Sequence, residues 1–236
     1  ITTTFCVNAQ TQSLIIGPTS GPGDYFKGPI YRFGNNANTA NYSRYAYLYS
    51  SSELAAPTSG TPIPSGAKIV KVEWLKRTGG TVTGNNNFNV WMANTTQTAF
   101  STTGEAWKTI ENGTTQTFGS STFPVLIGND QWLDAGFNLP PNDSFVYSGG
   151  NLKILTDWGK VGSASGTINW YVSTINALNK AIGIAGANAL TGSTVLSSTN
   201  YGNSRPTIRI TYVPVPPCSG IPETGPVIAS APAACP

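Results

Sequence analysis

The side chains that could do chemistry here are ten carboxylates, a set of Trp and Tyr rings and three cysteines; histidine is absent. Without imidazole there is no His general base, no Ser-His-Asp or Cys-His nucleophile system, and no His-ligated zinc or iron. The acids are Asp24, Glu53, Glu73, Glu105, Glu111, Asp130, Asp134, Asp143, Asp157 and Glu223. A glycosidase needs two of them across one sugar bond, roughly 5 Å or 6.5–9.5 Å apart. No spacing singles out such a pair, and most stand beside turn residues, where acids are routine. A non-enzymatic chain is therefore expected.

Asn129-Asp130 and Asp134 would offer oxygen ligands to a structural calcium, a hard cation served by carboxylates and carbonyls. No EF-hand spacing accompanies them, so ordinary turn acids are the competing reading, and no other cofactor is expected. Three aromatics carry a different chemistry. Strand parity turns Trp91 and Tyr171 away from the core, and Trp158 stands at a strand end beside Gly159. Aromatic planes exposed in this way stack on sugar rings. The competing reading covers them with a loop, or moves them into the core by a register shift of one residue. Arg205 and Arg209 offer cations to an anionic ligand, with a solvated outer strand face as the favoured reading.

The chain must be long enough to hold such groups in place. At 236 residues it is, with one sizeable core. Charged residues make up 10% of it and the net charge is +3, with Lys and Arg scattered, so it lacks the basic stripe of a nucleic-acid binder. No apolar run approaches the ~20 residues of a membrane span. A surface of Thr, Asn, Ser and Gly suits an extracellular β protein.

Both ends read as processing or linker sequence. Residues 1–9 resemble the tail of a secretory signal peptide cut after Ala9, with an ordinary first strand as the alternative. Cleavage there would remove Cys6 and leave Cys218 and Cys235. These two either pair with one another or each with a cysteine beyond Pro236. Residues 214–236 are Pro-rich, a linker and the start of a following module; a β-sandwich domain spans 10–213.

Period-two alternation dominates the domain. Val70, Val72 and Trp74 share one face; Phe88, Val90 and Met92 another; then Ile168, Trp170 and Val172, and Ile208, Ile210 and Tyr212. Further strands are expected at 13–16, 30–33, 45–49, 114–118, 132–137, 144–147 and 152–157. Gly79-Gly80, Gly84-Asn85, Asn112-Gly113 and Gly149-Gly150 supply turns between them. Single helical turns fit Ser51–Leu54 and Thr96–Phe100, and 177–203 reads as a long surface connection. Strands that each bury one face need a second sheet, so the expected fold is all-β, an antiparallel jelly-roll-like β-sandwich.

Several segments carry a resemblance in their order and spacing. They are Tyr45–Leu54, Ile63–Ile69, Phe88–Thr96, Gln116–Phe118, Phe145–Leu152 and Arg205–Tyr212, with Pro217-Cys218-Ser219-Gly220 behind them. Over 45–236 the chain resembles a jelly-roll module of large secreted Bacteroidota surface proteins, of the cleaved-adhesin-like type. The resemblance implies secretion by the type IX system, residence on the outer cell surface, and an Ig-like or fibronectin-like repeat next in the chain. It implies no catalytic residues. The expected function is a non-enzymatic module for adhesion or structural presentation, with a glycan or extracellular protein as partner. A carbohydrate-binding accessory domain on a secreted hydrolase is the alternative.

Overall fold

A computed structural model describes residues 10–24, 28–30, 41–82, 86–123, 128–141, 143–160, 164–174, 179–197 and 204–215. In chain order the strands begin with β1 (Gln12–Ile16), β2 (Gly23–Asp24) and β3 (Tyr42–Tyr49). Helix α1 (Ser51–Ala55), β4 (Ser59–Gly60), β5 (Lys68–Val82) and β6 (Asn86–Thr95) follow. Next come β7 (Glu105–Ala106), helix α2 (Trp107–Glu111), β8 (Thr115–Ser120), β9 (Trp132–Gly136) and β10 (Phe145–Val146). The series closes with β11 (Asn151–Lys160), β12 (Ala164–Thr174), β13 (Ala181–Gly186), β14 (Val195–Leu196), β15 (Ser204–Pro206) and β16 (Ile208–Val213).

Two antiparallel sheets face one another. The first has nine strands along the path β15-β12-β5-β16-β1-β4, with β2, β9 and β10 attached; the second has five, ordered β13-β3-β11-β6-β8. The expected all-β sandwich is what the chain forms. Between the sheets lie Leu14, Val72, Trp74, Ile168, Trp170, Ile208 and Ile210 from the first, and Tyr45, Tyr47, Phe88, Val90, Met92 and Ile154 from the second. Edge-on ring contacts tie the two halves, such as Trp74 on Phe88 with centroids 5.9 Å apart.

The five-stranded sheet is apolar on part of its outer face too. Ala46, Leu48, Leu155 and Ile182 form a second buried cluster with Phe100, Trp107, Ile110 and Leu196. The cover is a thin layer made of α2 and the β7–β14 pair. Lys153 belongs to this face and lies 8% exposed, its Nζ donating at 2.8 Å to the carbonyl of Ile110 in the last turn of α2.

Both edges of the five-stranded sheet are capped. On β13, Gly183 exchanges two backbone hydrogen bonds with Ser197. On β8, the Asn138 amide accepts from the Gly119 N–H (3.1 Å) and donates to the Gly119 carbonyl (3.0 Å), as a neighbouring strand would.

Several expectations need correction. Gly79-Gly80 is no turn: β5 runs through it, and Gly79, at φ +105°, takes up a register irregularity against β12, where a Cβ would lie 1.7 Å from the Thr167 carbonyl oxygen. A second irregularity, beside Tyr212, moves Ile69 into the core with Val72 and leaves Val70 half-buried. The stretch 177–203 contains β13 and β14. Thr96–Phe100 is not helical, whereas Trp107–Glu111 is. Of the strand expected at 30–33, residues 31–33 lie outside the described residues, as do the proposed signal remnant, Cys218 and Cys235.

Arg205 is corrected most sharply. It is 1% exposed rather than solvated, stacked 4.4 Å from the Tyr49 ring and bonded to the Leu48 carbonyl and the Glu53 carboxylate. The strand is interrupted at Thr207 between β15 and β16, so parity counted back from Ile208 fails there. Arg209 is on the outer face but engaged, holding Glu73 through two bonds of 2.6 and 2.5 Å and stacking on Trp132 at 4.4 Å.

Candidate ligand-binding groove

Where the covering layer stops, the outer face of the five-stranded sheet turns polar. Strand register lines its side chains into rows. Ile182, Ala46, Leu155 and Trp91 make an apolar row that the layer covers. The next row is Ile184, Arg44, Asp157 and Asn89, and the one beyond is Gly186, Tyr42, Gly159 and Asn87. Arg44, Asp157 and Asn89 of the first and Tyr42, Gly159 and Asn87 of the second floor a groove of about 200 Å³, with Ala189 and Leu190 also lining it. Local sequence explains the change: on the outer face Ala46 and Leu48 of β3, Leu155 of β11 and Trp91 of β6 give way to Arg44 and Tyr42, Asp157 and Gly159, and Asn89 and Asn87.

Both terminal nitrogens of Arg44 are engaged, while its buried Nε has no hydrogen-bond partner among the described residues. One guanidinium nitrogen donates to Asp157 Oδ2 at 3.0 Å, the other to the Thr191 carbonyl at 2.6 Å, and the Trp107 ring lies 4.8 Å beneath. Asn89 lines the groove, and its Oδ1 accepts from Gln116 Nε2 at 3.1 Å, which leaves the NH₂ group as its side-chain donor. The floor thus offers carboxylate acceptors and amide donors with the formal charges of Arg44 and Asp157 balanced. The groove is thus lined by one carboxylate, one guanidinium, two amides and the Tyr42 ring, all groups that can hydrogen-bond.

A second depression, about 440 Å³ and more open, lies between α1 and the turn after β10, with serines at its rim and Ile63 and Tyr147 at its base. It carries no charged side chain.

No family model and no curated protein matches this chain. Among solved structures it is similar to the clostridial cysteine protease Cwp84 after propeptide cleavage. That likeness has a TM-score of 0.42 at 10% identity and covers 75% of this chain and 37% of the other.

The residues singled out from sequence are not brought together. Trp91 is on the outer face, as parity indicated, but half-buried under the layer, edge-on to Trp107 with centroids 5.6 Å apart. Trp158 is corrected: β11 continues to Lys160, so Trp158 is an interior strand position, 1% exposed in the main core. Tyr171 is 8% exposed and on the other sheet. Its hydroxyl donates to Asp130 Oδ1 at 2.7 Å, and that bond, with burial, raises its pKa. Asp134 pairs with Lys71 at 3.2 Å. The two calcium candidates are therefore engaged with different partners, and among the described residues no three His, Cys, Asp or Glu side chains gather as a metal site would require. No described helix is long and apolar enough to cross a membrane.

Sequence reasoning missed Tyr42, Arg44, Asn89, Asp157 and Gly159. Starting β3 at Tyr45 left the first two off the strand. A signal was present: Tyr42, Arg44 and Asp157, Gly159 are polar or small at the i, i+2 spacing of one strand face.

Proposed function

We propose that the chain is a non-catalytic binding module of an exported bacterial surface protein, and that it holds a glycan in the groove on the outer face of the five-stranded sheet. The observation that carries this reading is the row Arg44–Asp157–Asn89. A fixed, internally neutralised set of donors and acceptors on rigid strands matches a ligand rich in hydroxyls and costs little ordering on binding. The capped edges of the same sheet favour binding through its face over strand addition. The motif order resembling Bacteroidota surface modules supports export by the type IX route and an adhesive or presenting role. As an accessory domain of a secreted hydrolase, the module would use the same groove.

A glycan array probed with residues 10–215 tests the proposal. Retention of a defined glycan set by the wild type is expected, with loss in Asp157→Asn and Asn89→Ala while both variants still melt cooperatively. A blank array, or retention unaffected by both substitutions, refutes it.

A further inference from the structure

We infer that the stacking platform of this groove is Tyr42, seated over Gly159, and that the ring it receives is an uncharged sugar whose adjacent hydroxyls meet Asp157 and Asn89. The inference rests on the groove being the binding site and adds the contact residue and the ligand class.

Three observations converge. Tyr42 lies next to Gly159 across the β3–β11 ladder, and a Cβ on Gly159 would come within 3.2 Å of both Cδ1 and Cε1 of the Tyr42 ring. The ring therefore occupies the space above a β11 position that carries no side chain, and Gly159 is itself buried beneath it. Tyr42 remains half-buried and lines the groove, with Leu190 beside it on the apolar wall. One end of the groove is thus aromatic and aliphatic, suited to the C–H face of a sugar ring, and the adjoining row is polar, suited to its hydroxyl edge.

Charge selects the ligand class. An anionic sugar would face the Asp157 carboxylate while both terminal nitrogens of Arg44 are already committed to Asp157 and Thr191. A cationic ligand would meet a carboxylate whose charge is already balanced by Arg44 at 3.0 Å, and would lie against that guanidinium. A neutral diol meets neither penalty: Asp157 accepts from its hydroxyls, and the Asn89 amide donates to them.

The test is calorimetric titration with cello-, xylo-, manno- and chito-oligosaccharides, alongside uronic-acid and sulfated counterparts. Neutral oligosaccharides are expected to bind the wild type. Tyr42→Ala is expected to weaken the tightest of them about tenfold or more, with Tyr42→Phe staying within about threefold, because the ring and not the hydroxyl makes the contact. Gly159→Val, checked for native melting, is expected to weaken binding like Tyr42→Ala by lifting the ring. Undiminished binding by Tyr42→Ala, with Asp157→Asn still defective, overturns the platform while leaving the groove. Binding of the acidic series alone overturns the neutral class. Binding of nothing in the panel overturns both this inference and the reading beneath it.

Discussion

Arg44 and Asp157 are registered neighbours on β3 and β11, and their side chains meet at 3.0 Å on the outer face of the five-stranded sheet. Each is also tied elsewhere: Arg44 lies over Trp107 of the covering layer, and Asp157 sits beside Asn89 on β6. The pair links the buried half of that face to the open groove. Asp157→Asn keeps the shape and removes the charge. It is expected to abolish glycan retention while lowering stability by only about 1 kcal/mol, since the pair is partly solvated. Urea melts beside binding curves separate the two effects.

Arg205 and Glu53 form the counterpart inside the fold. Arg205→Met leaves the Leu48 carbonyl without its donor and Glu53 without its cation, and is expected to cost on the order of 3 kcal/mol. A stability change under ~1 kcal/mol would show that the pair is dispensable.

The same pair sets an acid dependence. Burial pushes the Glu53 carboxyl up, but the Arg205 guanidinium and hydrogen bonds from Arg205 and Ser50 outweigh it and hold the group below its ordinary range. A carboxyl held low in the fold binds fewer protons folded than unfolded. Its contribution is therefore complete above the unfolded value, near ~4.3, and fades as pH falls through the lower folded value. Glu53→Gln should flatten the decline of the urea midpoint over that acid range; an unchanged slope would contradict the linkage.

Trp158 and Trp91 should part company as structural residues. Trp158→Ala opens a cavity in the main core and is expected to cost about 4 kcal/mol. Trp91→Ala, in the thin outer layer, is expected to cost about half as much, because the layer can settle onto the gap. Equal losses would show that the layer is as rigid as the sandwich.

Asn138 is expected to act as an edge guard. Asn138→Ala strips the partner from the Gly119 N–H and carbonyl and opens β8 to pairing with another chain. Light scattering should rise with concentration in the variant and stay flat in the wild type.

Much of the sandwich was legible in the sequence because alternation is a direct consequence of one buried face. Phe88, Val90 and Met92, or Ile208, Ile210 and Tyr212, occupy the core as their spacing requires. What alternation could not carry was interruption. Gly79-Gly80 looks like a turn but absorbs a bulge, and across the interruption at Thr207 Arg205 is buried where parity placed it outside. The strand β13, AIGIAG, was hidden by its small residues: Gly183 is required there because the Tyr45 ring fills the site its Cβ would take, at 2.3 Å. The groove was hidden for a related reason. Its residues are ordinary polar ones on three strands distant in sequence, and only strand register places Arg44, Asp157 and Asn89 in one row. The aromatics that drew attention were conspicuous because they are large, and large rings are what cores and covering layers bury.

The most direct test of the central claim is chemical-shift mapping of the side-chain amides during titration with the tightest-binding neutral oligosaccharide. The expected result is saturable movement of the Asn87 and Asn89 NH₂ signals together with backbone shifts at Tyr42 and Gly159, while Asn138 and Asn151 stay still. Shifts gathered instead around Trp132 and Arg209 on the opposite sheet, or no saturable shifts at all, would contradict the assignment of the groove as the binding site.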